Sequence, residues 1–305
     1  MVNRRGTQRS SARPGPVPRT PLTGPARAAA DRRTVGWLAA GLTGGAVPAG
    51  LLLAPADAVQ GGAQRLMYLH VPAAWTAYLA FGAVLVGGAG YLRTGDLRWD
   101  RCARVAAEIG VALTAITIAV GALWGRAVWG TWWAWDPRLV STALLLIVYI
   151  GQLALRDAVA EAGRHRDPAG PDAHRAARWA ALAGIAGFAL VPVVHFSVVW
   201  WRSLHQPATV LAPHRPPIDA LMAAALLLSL AAVTSTAFWV FLRRLAAIEE
   251  SADAAAPGRP GSATDGPPVV DVAPGTGIPP VVGTPAAANL PRTAGAASTV
   301  VAGGR

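Results

Sequence analysis

Val105-Ala106-Ala107-Glu108-Ile109-Gly110-Val111-Ala112-Leu113-Thr114-Ala115-Ile116-Thr117-Ile118-Ala119-Val120-Gly121-Ala122-Leu123 runs without a break into Trp124-Gly125-Arg126-Ala127-Val128-Trp129-Gly130-Thr131-Trp132-Trp133-Ala134-Trp135-Asp136-Pro137-Arg138. The first part is about long enough to cross a bilayer, which takes about 20 mostly apolar residues. The second part holds five of the chain's 12 Trp within positions 124–135. Trp favours the headgroup level of a membrane, but an aromatic belt is spread over many helix ends. Here the indoles are concentrated in one segment, interleaved with Gly and closed by Asp136-Pro137-Arg138. On a helix, Trp129, Trp132, Trp133 and Asp136 would fall on one face. That face would be a broad aromatic shelf in the interface, suited to a flat, apolar, conjugated ring.

Outward from this stretch the same pattern repeats. Of 305 residues, 53% are hydrophobic and 14% charged, against about 25% charged in a soluble domain. Six runs are long and apolar enough to span: approximately Val35–Leu53, Pro72–Leu92, Val105–Leu123, Leu139–Leu155, Trp179–Val199 and Ile218–Leu242. The fold class expected is an all-α integral membrane protein, a six-transmembrane helix bundle with an outward-facing Trp-rich interfacial segment and disordered termini. Residues 1–34 form a basic tail, 35–248 the membrane domain with its Trp loop at about 124–138, and 249–305 a Pro/Gly/Ala-rich tail.

The net charge of +11 does not point to nucleic acid, because the 27 basic residues, all Arg, sit in the N-terminal tail and between apolar runs. Arg93, Arg98, Arg101 and Arg104 separate spans two and three; Arg156, Arg164, Arg166, Arg175 and Arg178 separate spans four and five. The other loops hold Arg65, then Arg126 and Arg138, then Arg202 and Arg215. The positive-inside rule therefore places both termini in the cytoplasm and the first, third and fifth loops outside. Asp31-Arg32-Arg33-Thr34, an apolar run and Ala54-Pro55-Ala56-Asp57-Ala58 loosely resemble an export signal; an uncleaved first span is expected.

Two outward loops carry histidines. His70 lies in Arg65-Leu66-Met67-Tyr68-Leu69-His70-Val71-Pro72, with Pro72 expected in the first turn of span two. His195 lies near the far end of span five. Two imidazoles at matching depth, on the side of the Trp segment, suit the axial positions of haem iron. Arg65 and Arg138 could each pair with the carboxylates of a porphyrin or serve topology alone. Arg126, Arg202 and Arg215 are expected at headgroups. His205 could serve as a reserve ligand but is expected behind the ligands or at the surface, and His165, His174 and His214 in solvent. The single cysteine, Cys102, excludes a disulfide framework, a Cys-rich zinc site and a covalent C-x-x-C-H haem site.

The segments Trp124–Leu139, Arg65–Trp75 and Val194–Gln206 together resemble the CcmC family, the haem exporter or cytochrome c-type biogenesis protein C of the WWD-domain haem-handling group. The resemblance covers about residues 35–245. It implies that His70 and His195 are the axial ligands of haem b held as cargo, and that Trp124, Trp129, Trp132, Trp133, Trp135 and Asp136 belong to the haem-presenting loop, with Arg65 and Arg138 nearby. It also implies a place in the cytoplasmic (inner) membrane beside membrane lipid, ABC-type transporter subunits, a small membrane subunit and an extracytoplasmic haem chaperone that receives the haem. No enzymatic activity is implied. The chain departs from the family after Arg138, where Leu139-Val140-Ser141-Thr142-Ala143 replaces the usual Leu-Thr-Ser-Glu.

Other functions stand beside this one. An electron-transfer cytochrome b needs His pairs within spans, whereas these lie at span ends. A haem lyase would engage apocytochrome instead of a chaperone. A permease would show broken or polar helices at mid-membrane, where this chain has plain Ala/Leu/Val with Gly121 and Gly184. Ser197 and His195 point apart on a helix, so no hydrolytic dyad forms, and no Walker motif is present.

Overall fold

The structure is a computed structural model, and it describes residues 24–164, 171–205 and 218–255. His165, His214 and Arg215 lie outside the described residues, as do most of the two tails. All described residues are helical or in short connections, with no strand among them beyond a single bridge between Asp57 and Gly61.

Helix α1 is Gly24–Pro48 and runs into a π-helical turn, Ala49–Leu53. After a short loop and a 3-10 turn at Gly62–Leu66 come α2 (Met67–Thr94), α3 (Leu97–Trp129) and α4 (Pro137–Arg164). Helices α5 (Pro171–Phe188) and α6 (Leu190–Trp200) together form one span, and α7 is Ala220–Ala255. Six spans result: Arg27–Leu53, Gly62–Thr94, Leu97–Trp129, Pro137–Ala162, Ala173–Trp200 and Ala220–Ser251. The protein is thus a multi-pass helical membrane protein.

Each span outruns the apolar stretch that announces it. Span three has 33 residues, about 50 Å at 1.5 Å per residue, against a hydrocarbon core of about 30 Å. Apolar content measures only the part in lipid. Once that part is helical, propagation costs little, and Ala and Arg are good helix formers. The first helix accordingly starts at Gly24 and takes in Ala28-Ala29-Ala30, while the last continues past Arg243 and Arg244.

Helix α2 is the central element, packed on α3, α5 and α7; α1 pairs with α7, and α4 leans on α3, α5 and α6. Close approach comes from small residues, as it does where lipid supplies no hydrophobic drive between helices. A methyl on Gly87 would lie 2.9 Å from the Trp99 carbonyl oxygen. At the centre, Phe81 stacks on Tyr149 with centroids 3.8 Å apart, and Tyr149 donates to the Gly184 carbonyl at 3.0 Å. Gly184 is not a neutral position, since a methyl there would meet Val84 at 2.7 Å. Large apolar side chains such as Trp37, Leu52, Leu79, Ile147 and Leu227 face outward, where a bilayer covers them.

The two ends of the bundle differ. At one end Gly95 (φ +70°) closes α2, and the Asp96 carboxylate accepts from the Arg98 N–H at 2.8 Å to start α3. The same end holds the Asp100–Arg156 ion pair and the Glu108–Arg104 and Glu108–Arg244 pairs. The other end gathers the loops around 54–66, 130–136 and 201–205, joined by contacts of Trp124 with Gln60 and Asp136 with His205.

Candidate functional site

At that second end the helices enclose a cavity of about 240 Å³. Helix α2 presents His70, Ala74, Trp75 and Tyr78; α3 presents Thr117, Gly121, Trp124 and Trp129; α4 contributes Arg138; α6 contributes His195. The loops add Trp132, Trp133, Leu204 and His205. His70 and His195 thus face one cavity from different helices.

His70 is fitted closely. Its ring meets Trp124 edge-on, with centroids 5.7 Å apart, and Trp124 is fixed by its own indole N–H donating to Gln60 Oε1 at 2.8 Å. A methyl on Gly121 would lie 2.7 Å from His70 Cε1 and 3.2 Å from Nδ1. Gly121, ordinary in the sequence, is therefore what lets the imidazole lie against α3. His70 Nδ1 is buried and accepts or donates no hydrogen bond among the described residues. Pro72 is not in the first turn: α2 begins at Met67, so Pro72 lies more than a turn inside and removes the N–H that would bond the Tyr68 carbonyl. The 3-10 turn before α2 moves the helix start upstream of the apolar run.

His195 packs between aromatic rings, 5.5 Å from Trp75 and 6.4 Å from Tyr78 between centroids. Its carbonyl oxygen accepts from Arg138 Nη2 at 2.8 Å. Arg138 keeps Nε buried without a hydrogen-bond partner among the described residues, so a cation with an unspent donor borders the cavity. Arg65 is elsewhere. It borders a second cavity between α1, α3 and α7 and does not line the first.

The Trp segment is not one helix, and the single-face shelf does not form. Gly130 adopts φ +76° and ends α3 at Trp129, a left-handed conformation that costs an L residue. Residues 131–136 return in a loop until Asp136 starts α4 by accepting from the Arg138 N–H at 2.9 Å. Trp129, Trp132 and Trp133 still line the cavity, because the loop folds the last two back over it. Trp135 does not, and is 87% exposed.

Asp136 works from behind the cavity wall. It is buried and accepts from Ser203 Oγ (2.8 Å), the Leu204 N–H (2.7 Å) and His205 Nδ1 (3.1 Å), besides Arg138. Burial pushes its carboxyl up, but these donors outweigh it and hold the group below the usual carboxylate range. An ionised carboxylate only accepts, so Nδ1 of His205 carries the proton and Nε2 is left with its lone pair. Burial holds the His205 imidazole below its ordinary value, opposed by the Asp136 charge, which keeps it neutral near pH 7. Its ring meets Trp129 at 5.1 Å between centroids. His205 thus lines the cavity while backed by Asp136. Trp75 and Tyr78, five and eight residues beyond His70 on α2, complete this wall.

Fold and site together define a multi-pass membrane protein with an imidazole-bearing, indole-lined cavity at one end of its bundle. A family described as heme exporter protein C matches residues 25–256. The chain belongs to that family. Among its relatives are heme exporter protein C of Bradyrhizobium diazoefficiens, 40% identical over 159 residues (52% of this chain, 56% of the relative), and of Haemophilus influenzae, 33% identical over 196 residues (64% of this chain, 75% of the relative). A ccmC-like mitochondrial protein of Marchantia polymorpha, described with cytochrome c biosynthesis, is 32% identical over 169 residues (55% and 67%). The matched region thus spans little more than half of the Bradyrhizobium protein.

Proposed function

We propose that the protein binds haem b as cargo in this cavity and presents it, at the outer face of the cytoplasmic membrane, to an extracytoplasmic haem chaperone during c-type cytochrome maturation. The observation that carries this is that His70 and His195, from separate helices, both line one aromatic cavity. Two imidazoles can hold iron from opposite faces, indoles bury the macrocycle, and the unpaired Arg138 Nε–H suits a propionate. The names of the relatives agree with haem as cargo.

Presentation follows from the wall being incomplete. Trp132 is 57% exposed while lining the cavity, so one edge of a bound ring remains reachable. The chaperone docks at that edge, and the ABC-type subunits and a small membrane subunit act through the complex; the chain itself handles haem and catalyses no reaction. The Arg-rich end, with Arg93, Arg98, Arg101 and Arg104, faces the cytoplasm, and the cavity end faces out.

The test is an absorption spectrum of the full chain purified in detergent, for wild type, His70→Ala and His195→Ala. Loss of the bound chromophore in both variants is expected. Retention in either variant with an unaltered band would move the iron site elsewhere.

A further inference from the structure

The second cavity, about 530 Å³, shares no lining residue with the first. It is a groove between α1, α3 and α7 whose mouth lies at Arg65, Tyr68 and Leu69 on α2 and the turn before it. The lining descends along α7 from Ser229 to Val240. The eleven steps between those two positions span about 16 Å at 1.5 Å per residue, close to half of a hydrocarbon core of about 30 Å. Groove depth therefore matches one leaflet.

Its chemistry is equally defined. The deep wall is aliphatic or small, as at Ala46, Val47, Ala232 and Val233. Among its lining residues there is no His, Cys or Met, and the only aromatic ring is Tyr68, whose hydroxyl accepts from Gln64 Nε2 at 2.9 Å. Tyr68 is the one residue there that could meet a haem, and its hydroxyl is engaged by Gln64; the groove has no facing pair of ligands and no indole wall, so it is unlike the first cavity. Arg65 is the one charged residue of the lining, and its guanidinium makes no ion pair or side-chain hydrogen bond with any described residue. A lone guanidinium above a leaflet-deep apolar slot is complementary to an anionic headgroup on a hydrocarbon tail.

We infer that this groove is a phospholipid site: one acyl chain lies along the slot bounded by α1, α3 and α7, and its phosphate is held by Arg65. The site is independent of the haem cavity. It also gives the intramembrane face beside the π-helical turn Ala49–Leu53 an occupant; Gly50 in that turn packs so closely on Tyr68 that a methyl would lie 2.8 Å from its ring.

The test uses the full chain, delipidated in detergent and titrated with palmitoyl-oleoyl phosphatidylglycerol or with a diacylglycerol lacking phosphate, bound lipid being counted by native mass spectrometry. Wild type should retain one phosphatidylglycerol. Arg65→Gln should weaken it about tenfold, the scale of one charge-assisted contact, and leave diacylglycerol unchanged. Ala237→Phe, which fills the groove, should weaken both, with an unchanged helical circular dichroism spectrum. Equal phosphatidylglycerol retention by Arg65→Gln, or by a folded Ala237→Phe, overturns the site. So does copurification of a stoichiometric protein subunit in place of lipid. The haem band is read in the same samples: its loss in Arg65→Gln with lipid intact assigns Arg65 to haem and overturns the lipid role, whereas its loss only in His70→Ala and His195→Ala bears on the haem site alone.

Discussion

Asp136 and His205 are 69 positions apart in sequence and 3.1 Å apart in space, carboxylate oxygen to Nδ1. The contact ties the loop after α6 to the start of α4, and it turns the other ring nitrogen of His205 away from the carboxylate. The aspartate that closes the Trp segment thereby shapes the cavity without lining it.

Asp136→Asn should cost about 2 kcal/mol, because buried donors on Ser203, Leu204 and His205 lose a charged acceptor. Melting temperature in detergent should fall, and bound haem should absorb with a broadened or shifted band instead of disappearing. An unchanged melting curve and spectrum would remove Asp136 from this role.

The same pair sets an acid limit. Both groups have folded-state values below their ordinary ones, so each contributes stability that is complete above its unfolded value and lost as pH falls. For His205 the loss starts near an unfolded value of about 6.5, and for Asp136 near about 3.9. A pH series of melting temperatures should decline in two stages on acidification. His205→Gln should abolish the upper stage and leave the lower.

Gly121→Ala should lower haem retention at least about tenfold with little loss of helix. Its added methyl would lie 2.7 Å from His70, and the ring, wedged by Trp124, has to move. Gly41→Ala is the matched control: a methyl there meets nothing within 4 Å, so the exchange should leave haem alone and stabilise by up to about 1 kcal/mol. Equal haem content in the two variants would contradict the fit described.

The tryptophans of one signature should separate. Trp133→Ala and Trp129→Ala remove cavity wall and should reduce haem content severalfold by absorbance per protein. Trp135→Ala removes a ring that is 87% exposed and should leave content unchanged while weakening any docking at that rim.

Arg138→Gln should weaken haem retention about tenfold if its spare donor meets a propionate. It should also loosen His195, whose carbonyl it holds at 2.8 Å. Haem titration followed by absorbance measures the first effect, and a broadened haem band reports the second.

The sequence by itself determined that this chain crosses a membrane six times and that the loops holding His70, the indoles and the end of span five share one side. Those properties are local: apolar length, helical period and the alternation of Arg need no knowledge of neighbours. The indole spacing pointed to one continuous helical face, and it took the structure, with Gly130 at φ +76°, to show the break. Only the tertiary structure decided which way each helix is turned. Rotation about a helix axis is fixed by packing volumes, such as Gly121 against His70 and Gly184 against Val84, and these pairings join residues far apart in the chain. That is why Arg65 and Arg138, alike in sequence as outward cations, end in different cavities, and why Trp75, Tyr78 and His205 meet in one wall.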